Sequence, residues 1–353
     1  MPNYSASKST MANDTMKSWQ YSTFNGKLED HLTINEAPIP AHSSLTGDQL
    51  LVQVISAAIN PVDYKLAESG IMGRLVIPRP ATPGLDFCGR VIAKHPSNTA
   101  FETGQLVFGG FNNPGKNGTL AQYTVVPGAC CSPLPSGVDP DQAAAVGTAA
   151  TSAYQSLTPK SLKPGSKIFI NGGSGGVGTW SVQFAKILGA DVVTTCSMGN
   201  VDMCKQLGAD EVLDYKKTNV IEDLKKRGKV FDLIVDNVGS SADLYSASGS
   251  ILKPHGTYYQ VGVGSKLTMG TMAGTVKRQV LPIIFGGHRY NFLTMNNSSE
   301  FLRPIGNWMA EGKAKAIIDS TFSFEEVPDA FRKLKEGHTK GKIVIHVSQS
   351  PEE

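Results

Sequence analysis

Six residues, Gly173-Ser174-Gly175-Gly176-Val177-Gly178, match the pattern GxGxxG. The first glycine of such a loop makes a tight turn. The second lets a pyrophosphate approach the backbone, and the third lets a helix pack on a strand. The free N–H groups that open the helix then face the phosphate charge. A glycine-rich turn with no ligand fits the same letters, so context must separate the two. An apolar run, Lys167–Asn171, precedes the loop, and Thr179–Leu188 follows it. That second segment places Trp180, Phe184 and Ile187/Leu188 on one helical face with Val177. Strand, glycine loop and helix in this order are the setting a dinucleotide site requires.

A site for NAD places Asp or Glu about 20 residues further on, where it holds the ribose hydroxyls. The matching tip here is Cys196-Ser197-Met198-Gly199-Asn200, with no carboxylate before Asp202. A carboxylate repels a 2′-phosphate, whereas the hydroxyl of Ser197 and the amide of Asn200 hydrogen-bond to it. Tyr215, Lys216 and Lys217, at the tip of the next strand, add a phenol and positive charge. The pattern favours NADPH over NADH. Ser197 and Asn200 are equally suited to capping the helix that follows, and both roles are compatible.

The remaining reactive residue types form no constellation. The histidines (31, 42, 95, 255, 288, 338 and 346) are scattered, with no pair at metal or triad spacing. There is no GxSxG elbow. The five cysteines (88, 130, 131, 196 and 204) include no CxxC, and the adjacent Cys130 and Cys131 have no nearby histidine. No metal site is expected, because zinc needs Cys, His or carboxylate ligands at fixed spacing. Thirty-three basic and 30 acidic residues leave a net charge of +3, with no Lys/Arg block, so no nucleic-acid surface is expected. No apolar run reaches the ~18 residues of a membrane span. An odd number of cysteines and no secretory signal suggest a cytoplasmic protein. Residues 1–18, rich in Ser, Thr, Asn and Lys, are expected to be a disordered leader. A mitochondrial presequence fits them less well, since they lack Arg and contain Asp14.

Two rhythms of apolar residues must position these groups. Up to about residue 150 the chain alternates short strand-like runs with Gly/Pro/Asn turns: Leu50–Ile59, Arg90–Ala93, Gln105–Phe108 and Gln122–Val126. After residue 160, strands alternate with helices of about ten residues, which implies a parallel sheet covered on both faces. The C-terminal strand–helix–strand, Ile317–Phe324, Pro328–Glu336 and Lys342–Val347, is free to return to the first part. The expected class is α/β. Tyr290–Thr294 reads as an exposed edge strand open to pairing. Gly264–Gly287, with Met269, Met272, Ile283, Ile284 and Phe285, suits an apolar substrate pocket, a subunit interface or simple packing.

The chain resembles the zinc-free branch of the medium-chain dehydrogenase/reductase superfamily, the quinone oxidoreductases and the fungal trans-acting enoyl reductases. The residues that carry this are Ala58-Ile59-Asn60-Pro61-Val62-Asp63, Pro83-Gly84-Leu85-Asp86-Phe87-Cys88-Gly89, Gly118-Thr119-Leu120-Ala121-Gln122-Tyr123, Ala143–Ala145 with Thr151–Tyr154, Gly172–Gly178 and Gly341–Val344. Zinc-binding members have Cys where Asn60 stands, Gly-His-Glu where Gly84-Leu85-Asp86 stands, and a lobe of four cysteines, none of which is present.

The resemblance implies a GroES-like β domain, a Rossmann domain and an active site in the cleft between them. The expected division is 19–150 plus 298–348 for the first and 151–297 for the second. It implies that Asn60–Lys65, including Pro61, Val62 and Asp63, lies at the nicotinamide. Lys65 stands where many quinone reductases have Tyr and the fungal enzymes have Lys, and it either donates to a substrate oxygen or holds the ribose. A solvated surface lysine is the plainer alternative. Tyr64 is the competing donor, and Thr151 is expected beside the carboxamide. Asn237, Val261 and Gly262 sit at carboxyl strand ends, where open α/β sheets bind ligands, and Lys342 is carried over to the cofactor. The implied activity is NADPH-dependent, zinc-independent reduction of a C=C conjugated to a carbonyl, in an enone, quinone or enoyl thioester. A role beside a polyketide synthase carrier domain is a narrower version. A non-catalytic NADPH-binding protein, crystallin-like or redox-responsive, is the alternative. Monomer and homodimer both remain open.

Overall fold

A computed structural model describes residues 15–157, 162–239, 242–264, 270, 273–275, 277–279 and 289–348. Most of the Gly264–Gly287 segment, and with it the expected apolar pocket or interface, lies outside the described residues. So do residues 1–14. Residues 15–18, expected to belong to a disordered leader, are instead part of a strand: Thr15–Gln20 forms β1, paired antiparallel with β2 (Thr33–Pro38). Trp19 and Tyr21 are the reason. Both are buried, and the Trp19 indole donates to Phe324 O at 2.6 Å.

The first large sheet begins with β3 (Gln49–Ile59), β4 (Asp86–Lys94), β5 (Leu106–Gly110), β6 (Tyr123–Pro127) and β7 (Cys131–Pro133). Its core gathers Leu50, Val52, Phe87, Val107 and Phe331. The second sheet is parallel and holds β8 (Lys167–Asn171), β9 (Asp191–Cys196), β10 (Glu211–Asp214), β11 (Phe231–Asp236), β12 (Leu252–Gln260) and β13 (Arg289–Phe292). Their order is β10-β9-β8-β11-β12-β13, the doubly wound arrangement whose direction of winding reverses between β8 and β11. Ile168–Ile170 and Leu233–Val235 are buried, as strands covered on both faces must be. β13 closes this sheet at one edge.

The chain then returns. β14 (Ile318–Ser323) pairs parallel with β15 (Lys342–His346), and β15 pairs antiparallel with β3, completing seven strands in the first sheet. The helix Gly147–Leu157 packs against the helix Gly176–Ile187. Its small residues, Ala149, Ala150 and Ala153, allow close approach and share one core cluster with Trp180, Phe184 and, from the first sheet, Ala58 and Phe108. The expected boundary at 150/151 thus falls inside a continuous helix that belongs to the packing of both sheets.

Candidate active site

The glycine loop joins β8 to the helix Gly176–Ile187. Gly172 turns the chain at φ +81. A Cβ on Gly173 would collide with Thr194 Oγ1, and one on Gly178 would collide with the Gly172 carbonyl. These two glycines are therefore required by the fold itself. Gly175 is different: a Cβ there would find its nearest protein atom, Gly172 O, 3.9 Å away. That open space lies at the mouth of a helix whose first N–H groups no side chain caps, which is how a pyrophosphate is held. Ser174 and Val177 are half-buried within the same loop.

The ends of β8, β11 and β12 are tied together at one residue, Asp236, that the sequence reading did not single out. Asp236 is 1% exposed. Its Oδ1 accepts from Asn171 Nδ2 at 2.9 Å and from the amides of Val238 and Gly239 at 3.1 and 2.9 Å. Its Oδ2 accepts from the Tyr258 hydroxyl at 2.7 Å, and burial beside this carboxylate raises the phenol's pKa. Asn171 Oδ1 in turn accepts from Thr195 Oγ1, which accepts from the Gly172 amide. The amides of Val261 and Gly262 donate to Asp236 O. A carboxylate at a strand end carries no sequence signature of this role.

Asn237 stands out among the residues that border the loop. Both polar atoms of its amide are buried, with no hydrogen-bond partner among the described residues. It borders Gly172, whose Cβ would meet Asn237 Cβ at 3.9 Å. An unpaired buried amide costs about 1–3 kcal/mol, so this group fits a bound dinucleotide. At the tip of β9, Ser197 is half-buried and Asn200 donates to its hydroxyl at 3.4 Å, while Asn200 Oδ1 is buried with no partner among the described residues. The Tyr215 amide donates to Cys196 O, and the Tyr215 ring is exposed beside exposed Lys216 and Lys217. One neighbour went unread: Asp214 stands opposite Cys196 in register, with its Oδ1 accepting from the Lys216 amide.

The segment after β3 is the short helix Pro61–Lys65. Lys65 Nζ reaches across to the carbonyl of Gly264, after β12, at 2.5 Å. This contact joins the two halves of the molecule. Lys65 is half-buried and bonded, unlike the solvated surface lysine of the plainer reading, and burial lowers the ammonium's pKa below the usual lysine range. Tyr64 does not compete for the same place. Its ring lies under Lys335 Nζ, 4.9 Å from the centroid, and Lys335 also pairs with Glu29 and Glu68. Burial, then Glu68 and Glu29, raise the Tyr64 pKa.

Four other expected site residues, Asn60, Asp63, Thr151 and Lys342, are engaged inside the protein. Lys342, 3% exposed, donates to Ile59 O at 3.1 Å, to Asn60 Oδ1 and to Asp86 Oδ2 at 3.2 Å. Asn60 Nδ2 donates to Asp86 Oδ2 at 2.8 Å. Thr148 donates its amide and hydroxyl to Asp86 Oδ1, each at 2.7 Å. The Asn60 amide donates to Asp63 Oδ2 at 2.6 Å. Burial first, then Asp86, lifts the Asp63 carboxyl to about 8, against the opposing effects of the Asn60 amide and Lys342. Lys342 therefore does not offer its ammonium to a ligand. It acts through the protein, because the Gly341 amide donates to Ser174 O at 3.0 Å and the Lys342 stem packs near Gly176. Thr151 is likewise fully buried, its hydroxyl held by Gly147 O and Asn297 Oδ1. Pro61 is exposed and Val62 half-buried. Among the described residues, no three His, Cys, Asp or Glu side chains converge as a metal site.

Family models match both halves: one described as an alcohol dehydrogenase GroES-like domain over residues 46–136, and one described as a zinc-binding dehydrogenase over residues 207–345. The chain is 42% identical to the trans-enoyl reductase pgmF of Aspergillus terreus over 96% of its own length and 98% of that protein. It is 30% identical to a 2-methylene-furan-3-one reductase of Solanum lycopersicum, across 94% of this chain and 79% of that protein. A solved quinone oxidoreductase from Coxiella burnetii superposes with a TM-score of 0.79 at 27% identity, covering 95% of this chain and all of that one. Its GroES-like and Rossmann halves, its glycine loop and these relatives together place the chain in the medium-chain dehydrogenase/reductase family of oxidoreductases.

Proposed function

We propose that the protein is an NADPH-dependent, zinc-independent reductase of C=C bonds conjugated to a carbonyl, working on an enone, quinone or enoyl thioester. We include service to a polyketide synthase in fungal secondary metabolism. The observation that carries the reading is Lys65, whose half-buried ammonium meets the loop after β12. The relatives named as trans-enoyl reductase and 2-methylene-furan-3-one reductase support the same chemistry.

The bound dinucleotide would supply hydride; Gly175, the helix opening at Gly176, Asn237 and the Ser197–Asn200 tip would hold it. What the chain must add is a donor for the carbonyl oxygen, where negative charge gathers as the β-carbon is reduced. An ammonium at Lys65 meets that need, and its lowered pKa brings proton donation nearer to neutral pH. Asn60, Lys342 and Asp86 hold the base of that helix rigid. With Asn60 and Leu85 at the positions of two zinc ligands in the zinc-binding branch, the donor set does not suit that metal.

The direct test is a panel of enones, quinones and enoyl thioesters assayed for NADPH oxidation. Turnover with at least one is expected, and it should survive chelation. A preference for NADH of about tenfold or more would overturn the NADPH assignment. Ser197→Asp should move preference toward NADH. Binding of NADPH with no oxidation across the panel would move the protein to the non-catalytic class.

A further inference from the structure

The short helix Ile71–Val76 leaves an unusual amount of apolar surface in water. Ile71 is 76% exposed, Leu75 81% and Val76 58%. Three neighbouring apolar side chains on one turn and a half of helix form a patch, unlike single exposed residues, which need no explanation. The helix is not loosely placed. Gly73 is buried, and a Cβ there would strike Leu66 O and the Phe24 ring. The backbone is therefore seated firmly, and it is the outer face that is apolar.

Positive charge flanks that face. Arg74 and Arg79, both exposed, line a surface depression with Ser22, Ile77, Pro78 and Pro80. Among the described residues neither arginine joins an ion pair. Among the described residues, the Arg79 guanidinium makes a 3.4 Å bond to Ser22 O and a contact with the Phe24 ring. From residue 69 to residue 85 there is no acidic side chain. The patch also lies close to the chemistry. Ile71 is six residues beyond Lys65, at most about 20 Å along the chain.

We propose that Ile71–Val76, with Arg74 and Arg79, is the docking face for an acidic carrier domain that delivers the unsaturated acyl group on a phosphate-linked arm. The proposal rests on the conjugated-reductase reading and names the partner of that same site. An apolar ridge suits the apolar face of a partner helix, and two unpaired guanidiniums suit its acidic rim and the phosphodiester. A second copy of this chain fits poorly, because a two-fold interface centred here would set arginine against arginine. A membrane surface fits poorly too, since a six-residue helix is too short to lie along the interface as membrane-binding amphipathic helices do.

The test compares one acyl group in two forms: crotonyl-N-acetylcysteamine, and crotonyl-phosphopantetheine on an excised polyketide synthase carrier domain. Wild type should reduce the carrier-bound form with the higher kcat/KM, and added salt should erode that advantage. The double variant Arg74→Glu/Arg79→Glu, and separately Leu75→Ser, should lose about tenfold or more on the carrier-bound form while staying within about twofold on the small thioester. The small thioester also reports that each variant is folded. Equal use of both forms by wild type overturns the docking face and leaves the reductase reading intact. Equal losses on both substrates, or arginine-dependent binding to phosphatidylglycerol vesicles in place of the carrier, overturn it as well. If wild type reduces neither form, the enoyl thioester reading falls and takes the docking face with it.

Discussion

Lys65 and Lys342 show how differently two lysines at one site can act. Lys65 is half-buried and bonded to one carbonyl, so it is free to meet a substrate oxygen. A donor that strengthens as charge develops acts on turnover more than on affinity. Lys65→Ala should lower saturated turnover by ~10²–10³ and leave NADPH binding little changed, checked by cofactor titration and saturated rates on the same preparations. Because its pKa is lowered, the wild-type rate should fall on the alkaline side as the ammonium deprotonates. Lys65→Arg should push that fall to higher pH. Weakened cofactor binding with normal turnover would instead make Lys65 a ribose ligand. Lys342 sits among Asn60, Ile59 O and Asp86 with almost no exposure. Lys342→Met leaves the Asp86 carboxylate buried without its cation, a loss of about 3–5 kcal/mol in stability, measured by urea unfolding. A change under about 1 kcal/mol would mean that water or a neighbour already compensates Asp86.

At the scale of elements, the glycine loop was the most legible part of the sequence, and its glycines divide into two kinds. Gly173 and Gly178 are required by the protein, through Thr194 and the Gly172 carbonyl. Gly175 has ordinary backbone angles, φ −82 and ψ 178, and open space in front of it. Gly175→Ala should keep the wild-type melting temperature while weakening NADPH binding. Gly173→Ala should lower the melting temperature. Equal melting losses in both would mean that the space at Gly175 is needed for folding and not for a ligand. The strands from Lys167 to Asp236 were readable because strands buried on both faces are continuous apolar runs. The small sheet of β1 and β2 was not, because most of its residues are exposed and its buried anchors, Ser18, Trp19 and Tyr21, cluster at one end. Resemblance alone put forward Asn60, Tyr64, Thr151 and Lys342 as candidates for the site. What resemblance could not give was direction: sequence spacing does not say that Tyr64 faces Lys335, or that Asp236 ties together the ends of β8, β11 and β12.

Across the whole molecule, the polar seam of Asp63, Asp86, Asn60, Lys342 and Thr148 links the helix after β3, the start of β4, β15 and the helix Gly147–Leu157. Its protonation should therefore register as global stability. Asp63 is lifted to about 8 in the folded protein by burial and by Asp86, from an ordinary value of 3.8. Between those two values the native state holds a proton that the unfolded chain has released. The stability this contributes is fully present below about pH 4 and is lost as pH rises toward 8, with a slope of up to about 1.4 kcal/mol per pH unit. Asp210 and Glu211 act in the opposite sense. Their folded pKa values are lowered by hydrogen bonds and by Lys186 or Arg227, so what they contribute is lost as pH falls through the acid range. Both are well exposed, which keeps their share small. Unfolding in urea from pH 5 to pH 8 should show wild type losing stability relative to Asp63→Asn. The amide keeps the neutral shape and the bond from the Asn60 amide, but cannot ionise. Parallel curves for the two proteins would show that Asp63 is already ionised at pH 5, with Lys342 shared between two carboxylates.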